Sequence, residues 1–266
     1  MNSLDYVKNH QSMMDKETID TLGFSADTNT NKMYHKIRTS RDGSSTIEYR
    51  APLPLGAREM KVAFTLATQC IDDDGKFIAP VNNTMASTRV DLRKMAKFVY
   101  GKSTIDKRKN IFDALFRIKG LSLKFTYDEQ IAPSMPRRPI ITGWLHEAIA
   151  DSEEYLYVDV VLSSIFLSYI LKNPISFNLE KMISYDGRAC FMYMTMQGFK
   201  YKMKKGNRYA YFDHIPHERL VQGLDLVGHQ MKHQKAEIKK AFKIIGLDYL
   251  YNKRTENWDK IRGLRK

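Results

Sequence analysis

The chain has 266 residues, of which 43% are hydrophobic, so it can bury one large core or two smaller ones. Its two cysteines, Cys70 and Cys190, lie far apart without metal-ligand spacing, which excludes a disulfide framework and a zinc ribbon. The formal net charge is +13, and the most apolar run, residues 160–171, is shorter than a membrane span. We therefore expect a soluble cytoplasmic protein.

Residues 1–50 are polar and carry little periodic apolar pattern, which predicts a flexible N-terminal arm. After Pro52 and Pro54 the pattern changes. Residues 59–71 have apolar side chains three and four positions apart, which predicts the first helix of a folded domain.

Two further helices are predicted directly afterwards. Thr88, followed three residues later by Asp91, is expected to cap a helix that runs to Gly101, and Ser103 with Asp106 is expected to cap the next one. The third helix carries three consecutive cations near its start, namely Lys107, Arg108 and Lys109.

Strand patterns follow the third helix. Residues 121–128 alternate like a strand, and a proline-rich bend then exposes Arg137 and Arg138. Residues 140–145 and 154–160 predict further strands. Helix, helix, cation-bearing helix and β-hairpin form the order of a winged helix, and residues 51–173 are predicted to be the first such domain.

The same order is predicted for residues 174–266, because Pro174 ends the preceding segment. A short helical turn opens at residues 179–182, and residues 187–203 predict a long helix rich in methionine and aromatic residues. Those side chains could offer a stacking platform for single strands, but their helical spacing favours core packing. A strand at residues 209–215 then leads into a helix.

Residues 229–246 predict an amphipathic helix with Met231, Ile238, Ala241, Phe242 and Ile245 on its buried face. A lysine stripe lies beside that face and consists of Lys232, Lys235, Lys239 and Lys243. The helix opens with side chains that can hydrogen-bond base edges, namely His229, Gln230, His233 and Gln234. A ribbon rich in lysine and arginine follows, so the segment is typical of a recognition helix and wing.

The charge is concentrated in the last quarter of the chain. From Lys200 onward, 17 cations accompany 7 acids, which gives +10 of the total +13. A lysine stripe alone often marks only a solvated surface. Charge concentrated in this way is what a phosphate backbone attracts, with an affinity that falls as salt rises.

The chain resembles the replication initiators of theta-replicating plasmids, which consist of tandem winged helices and bind direct origin repeats called iterons. The resemblance lies in LPLGAREMKVAFTLATQC (53–70), FNLEKMISYDGRACFMYMTMQGFK (177–200), IPHERLVQGLDLVG (215–228) and HQKAEIKKAFKIIGLDYLYNKR (233–254). It implies an α+β protein whose second domain reads the repeat in the major groove. It also implies that the first domain contacts adjacent DNA and pairs two protomers in a dimer that represses its own promoter.

The resemblance also implies roles for individual residues. Groove contacts near the start of the helix would come from Gln230, Lys232, His233, Gln234 and Lys235, with Lys239 and Lys243 completing the stripe. Lys253 and Arg254 on the wing would touch phosphate or the minor groove. The first domain would contact the DNA backbone through Lys107, Arg108, Lys109, Arg137 and Arg138. Host helicase and host initiator proteins are the implied partners.

No motif for catalysis or for a cofactor is found. A rolling-circle nickase would need a His-hydrophobe-His pair and a tyrosine nucleophile; Tyr201 and Lys205 have the second spacing, but His214 and His217 are three residues apart. His229 and His233 lack the further ligands of a zinc site, and no phosphate-binding glycine motif occurs. We expect a binding protein without an enzymatic activity, cofactor or metal.

These patterns predict two tandem winged-helix domains that bind double-stranded DNA at an origin of plasmid replication. Two other readings stay open. A transcriptional repressor would use the same surface on an operator, and an architectural protein would bind DNA with little sequence preference.

Overall fold

Helices and small antiparallel sheets alternate along the chain, which confirms the predicted α+β class. The computed structural model describes residues 11–15, 24–25, 33–39, 43, 45–69, 80–82, 85–128, 130, 140–151, 154–163, 174–203 and 209–261. Within those residues no helix has the length and apolar character needed to cross a membrane.

The first half of the chain carries nine strands and three helices among its described residues. In chain order they are β1 (Gln11–Asp15), β2 (Tyr34–Thr39), β3 (Ser45–Ala51), α1 (Ala57–Gln69), β4 (Pro80–Asn82), β5 (Met85–Asp91), α2 (Leu92–Tyr100), α3 (Ile105–Lys119), β6 (Ser122–Tyr127), β7 (Ile140–Thr142), β8 (Leu145–Ala150) and β9 (Tyr157–Ser163). Two four-stranded sheets result, with the orders β2-β3-β6-β7 and β4-β5-β9-β8.

Strands β2 and β3 correct the prediction of a flexible arm for the residues that they contain. In β3 buried and less buried side chains alternate, with Ile47 and Tyr49 in the core. The other face carries Thr46, Glu48 and Arg50 and stays more accessible. A strand with one polar face has the composition of a polar loop. Its side chains nevertheless alternate between two faces, so that every second one is buried.

Both predicted helix caps in this half lie too early in the sequence, the first by three residues and the second by one. Thr88 is paired with Val160 inside the β5–β9 ladder, so it cannot cap a helix. Asp91 caps α2 instead, accepting hydrogen bonds from the backbone N–H groups of Arg93 and Lys94. Thr104, and not Ser103, caps α3.

The second half begins with β10 and contains four helices among its described residues. In chain order its elements are β10 (Pro174–Asn178), α4 (Leu179–Ser184), α5 (Gly187–Gln197), β11 (Lys200–Lys202), β12 (Tyr209–Tyr211), β13 (His214–Pro216), α6 (His217–Gly223), α7 (Met231–Ile244), β14 (Tyr249–Asn252) and β15 (Asn257–Lys260). β13, β15 and β14 form a three-stranded antiparallel sheet in that order.

Helix α5 is shorter than the sequence predicts. It ends at Gln197, and residues 200–202 are a strand that pairs with β12. Every residue from Ala189 to Gln197 is buried, which supports core packing for the methionines and aromatic residues of this helix. A helix that is buried on all sides carries no face pattern that would mark where it stops, and the alternating Lys-Tyr-Lys that follows has the period of a strand.

The two halves pack against each other through α1. Its residues from Glu59 to Leu66 are buried, because it contacts α2 and α3 on one side and α4 and α5 on the other. The rings of Phe64 and Phe177 meet at 5.8 Å between centroids, and Lys61 Nζ lies 3.0 Å from Asp186 Oδ1. Strand β1 also pairs with β10. The buried side chains of both halves form one hydrophobic core.

Candidate nucleic-acid interface

Helix α7 has one buried face and one exposed, cationic face. Ile238, Ala241 and Phe242 are buried, and Phe242 stacks on Tyr249 at 4.7 Å between ring centroids. The cations Lys232, Lys239 and Lys243 of the predicted stripe are all exposed.

Two positions of this helix differ from the prediction. Met231 is 45% exposed, although the apolar periodicity assigns it to the core. It is the first residue of α7 and therefore lies beyond the core-facing turns. Lys235 is half-buried, and its Nζ lies 3.8 Å from the centroid of the Tyr251 ring on β14. This cation–π contact holds the ammonium group between the helix and the ribbon that follows it.

Strands β14 and β15 form that ribbon, and an exposed turn at residues 253–256 joins them. Lys253 and Arg254, which the sequence assigns to a wing, lie exposed in this turn. Asn252 fixes the turn, because its Oδ1 accepts a hydrogen bond from the backbone N–H of Arg254. The same side chain donates through Nδ2 to Asp259 Oδ2 at 2.8 Å.

One carboxylate lies at the base of this cationic ribbon. Hydrogen bonds from His214 and Asn252 lower the pKa of the Asp259 carboxyl, so it stays ionised. It is held inside the strand pair by these bonds and is half-accessible. The turn at the tip thus carries two cations and one acid, Glu256, whereas Asp259 lies within the strand pair.

A chain of hydrogen bonds connects the ribbon to α7 through a buried histidine. Trp258 Nε1 donates to His217 Nδ1 at 3.1 Å, His217 Nε2 donates to Gln234 Oε1 at 3.1 Å, and Gln234 Nε2 donates to the Leu226 carbonyl at 3.1 Å. An indole N–H can only donate, so Nδ1 of His217 must accept and its hydrogen must lie on Nε2. His217 is only 6% exposed. The chain ties β15, α6, α7 and the turn between the two helices together.

This network changes the role of Gln234. The sequence assigns it to base recognition, but its amide oxygen and its amide nitrogen are both engaged inside the protein, and the side chain is half-buried. Sequence reasoning missed the pairing because His217 and Gln234 are 17 positions apart and neither belongs to a recognisable motif. Gln234 therefore positions the start of α7.

Three polar side chains at the start of α7 face solvent. His229, Gln230 and His233 are exposed, and the two imidazole rings lie 5.0 Å apart. Gln230 occupies the N-cap position, yet its side chain makes no capping hydrogen bond. Its amide is available for a base edge. In the described part of the chain no three His, Cys, Asp or Glu side chains come together as metal ligands.

The cations of the first half lie on the N-terminal part of α3. Lys109 is exposed, Lys107 is half-buried with its Nζ 4.8 Å from the Tyr100 ring centroid, and Arg108 donates through Nε to the Glu154 carbonyl at 2.9 Å. Arg137 and Arg138 lie outside the described residues.

No protein-family model and no curated protein matches this sequence. Among solved structures, the chain is similar to a selenomethionine crystal structure of domains 2 and 3 of RctB, with a TM-score of 0.60 and 13% identity over 86% of this chain and 85% of that one. A second crystal structure of RctB domains 2–3 gives a TM-score of 0.53 at 13% identity and covers 86% of this chain and 82% of that one. At this identity the similarity concerns the fold alone.

Proposed function

We propose that this protein is an initiator of plasmid replication that binds direct repeats of double-stranded DNA at an origin. The observation that carries the proposal is the exposed cationic face of α7, which lies beside an exposed basic turn on a sheet that the buried His217 network ties to the helix. The fold similarity to domains 2 and 3 of RctB supports a replication-initiator fold.

The second half has the order of a winged helix. After α5 and the β11–β12 ribbon come β13, α6, α7, β14 and β15, and β15 lies between β13 and β14 in the sheet. In this arrangement α7 is the recognition helix and the turn at residues 253–256 is the wing. The first half repeats three helices followed by strands, which supports a tandem pair.

Helix α7 has the size that a major-groove element needs. Its 14 residues make it about 21 Å long, and the major groove is about 12 Å wide, which admits one helix. With its N-terminal end in the groove, Gln230 and His233 reach base edges, and Lys232, Lys239 and Lys243 bind phosphates along the flank. Lys253 and Arg254 bind the backbone or the minor groove on the wing side.

The first half supplies contacts that carry no base information. Lys107 and Lys109 at the start of α3 bind adjacent phosphates together with Arg108, and Arg137 and Arg138 add to this charge. The same half pairs protomers when the protein is a dimer. In our proposal the dimer represses the promoter, and monomers occupy the origin repeats.

Initiation follows from assembly and needs no chemistry in this chain. Several copies on adjacent repeats bend the duplex, and the deformation energy opens a neighbouring A·T-rich region. Host initiator proteins and the host helicase then load there, in the cytoplasm.

Selection of bound duplexes from a random pool, followed by footprinting on the DNA that flanks the gene, tests the proposal. Protection of several direct repeats in helical phase is the expected result. Protection of a single palindrome would instead indicate an operator and therefore a transcriptional repressor. Uniform coverage that disappears at physiological salt would indicate an architectural protein that does not read sequence.

A further inference from the structure

The ribbon formed by β11 and β12 has an aromatic face that the α7 surface does not use. Lys200 pairs with Tyr211, Tyr201 with Ala210, and Lys202 with Tyr209. Side chains alternate between the two faces of a strand, so Tyr201 shares a face with Met203 and with Phe212, which follows two residues after Ala210.

That face is open to solvent and carries two stacked rings. Tyr201 is 42% exposed, Phe212 is 39% exposed and Met203 is 44% exposed. The ring centroids of Tyr201 and Phe212 lie 5.4 Å apart with an angle of 30° between the ring planes. Rings held in this way lose little conformational entropy when a further flat group stacks on them.

The opposite face of the ribbon carries positive charge. Lys200 Nζ lies 5.5 Å from the Tyr211 ring centroid on the other face of the ribbon. Burial and, after it, the positive charge of Lys181 lower the pKa of the Lys200 ammonium group. In the sequence, residues 200–208 contain five cations and no acid.

The ribbon lies at the end of the three-stranded sheet that is remote from the wing turn. Asp213, directly after Phe212, accepts a hydrogen bond from the backbone N–H of Lys260, at the far end of β15. The wing turn instead adjoins the opposite end, where Pro216 pairs with Asn257. A duplex on α7 and the wing therefore leaves this face accessible.

We propose that the β11–β12 ribbon is a second nucleic-acid site, which binds single-stranded DNA by stacking bases on Tyr201 and Phe212. Bases within a duplex are stacked on each other and offer no free faces, so the site selects unpaired strands. Lys200, half-buried on the opposite face of the ribbon, contributes positive potential that attracts phosphates over a longer range. This site goes beyond the proposed function. Binding of unpaired bases to the β11–β12 ribbon does not depend on whether the duplex bound by α7 is an origin of replication.

Fluorescence anisotropy with a labelled dT oligomer of about 16 nucleotides tests the site, with a random duplex as the parallel probe. The double variant Tyr201→Ala/Phe212→Ala should bind the oligomer at least about tenfold more weakly and the duplex equally well. The conservative pair Tyr201→Phe/Phe212→Tyr should bind both like the wild type, because stacking needs the ring and not the hydroxyl. Lys239→Ala should weaken duplex binding and spare the oligomer.

Three outcomes would overturn the proposal. One is that the wild type does not bind the dT oligomer; the second is that the alanine variant binds it as tightly as the wild type; the third is that the alanine variant loses affinity for the duplex to the same extent as for the dT oligomer. If the alanine variant does not fold by circular dichroism, the wild type is crosslinked to a bromouracil-substituted oligomer. Crosslinks on Tyr201 or Phe212 support the site, and crosslinks confined to α7 oppose it. If the wild type binds the dT oligomer but not the duplex, the result contradicts only the proposed function and not this second site.

Discussion

Trp258 and His217 form a hydrogen bond of 3.1 Å between the indole Nε1 and the imidazole Nδ1, although 41 positions separate them in the sequence. The bond fixes the orientation of the imidazole, whose other nitrogen then meets the Gln234 side chain. The exposed surfaces of α7 and of the ribbon after it are thereby held in one geometry from inside the protein. A binding surface needs such support, because its side chains are exposed to solvent on one side and can be held in place only by the residues behind them.

Replacing His217 should destabilise the protein more than replacing any exposed histidine. In His217→Ala the buried Trp258 N–H and the Gln234 amide oxygen lose their partner, and the free energy of unfolding should fall by roughly 2–4 kcal/mol. Urea unfolding measures this value. His229→Ala, at an exposed position, is the matched control and should stay within about 0.5 kcal/mol of the wild type. Equal losses in the two variants would contradict the structural role of His217.

The two glutamines at the start of α7 should respond differently to alanine. Gln230→Ala should leave stability unchanged and reduce discrimination between cognate and substituted duplexes by about 1–3 kcal/mol at one base pair, because its exposed amide is the free one. Gln234→Ala should lower the free energy of unfolding by about 1–3 kcal/mol, because two internal hydrogen bonds are lost. Competition binding and urea unfolding distinguish them. The reverse pattern would return base recognition to Gln234.

Lys239 should contribute to binding in a manner independent of sequence. If the exposed ammonium group neutralises one phosphate, Lys239→Ala lowers the slope of log K against log salt by about 0.9 on cognate and random duplexes alike. Lys97→Ala, an exposed lysine in the last turn of α2, is the control with the same change in net charge. An identical change in slope for both variants would attribute the effect to overall charge.

Cys190 should be inert in the folded protein. Burial raises the pKa of its thiol from 9.0 to about 12, and the thiol donates to the Met182 carbonyl. In a Cys70→Ser background, a thiol-reactive disulfide reagent at pH 8 should modify Cys190 only after denaturant is added. Rapid stoichiometric modification of the folded protein would contradict this burial.

The raised pKa of the Cys190 thiol also makes the stability of the protein depend on pH in a predictable direction. The folded state holds the thiol proton more tightly than the unfolded chain does, so this contribution is complete below pH 9 and is lost as the pH rises from about 9 to about 12. Over that range the wild type should lose up to about 1.4 kcal/mol per pH unit more than a Cys190→Ala variant. Parallel pH profiles for the two proteins would oppose the assignment.

Local patterns in the sequence were sufficient for much of the fold. The spacing of Ile238, Ala241 and Phe242 defines the buried face of α7, because a helix repeats every 3.6 residues whatever surrounds it. The same period places Lys232, Lys239 and Lys243 on an exposed stripe. The α+β class and the order of the helices follow from the same periodicities. The cap of α2 was displaced from Thr88 to Asp91, since a cap depends on where the β5–β9 ladder ends.

Only the tertiary structure decided which polar side chains at the start of α7 remain exposed. Gln230 and Gln234 have the same side chain and lie one helical turn apart, and nothing local distinguishes them. Gln234 is engaged because His217 and Leu226 arrive from another helix and from a turn, and such long-range hydrogen bonds leave no periodic trace. The stacked pair of Tyr201 and Phe212 has the same origin, since a strand pairing brings the two rings onto one face. Periodicity thus determined which faces of the elements are buried, and packing between distant segments determined which groups stay free to bind.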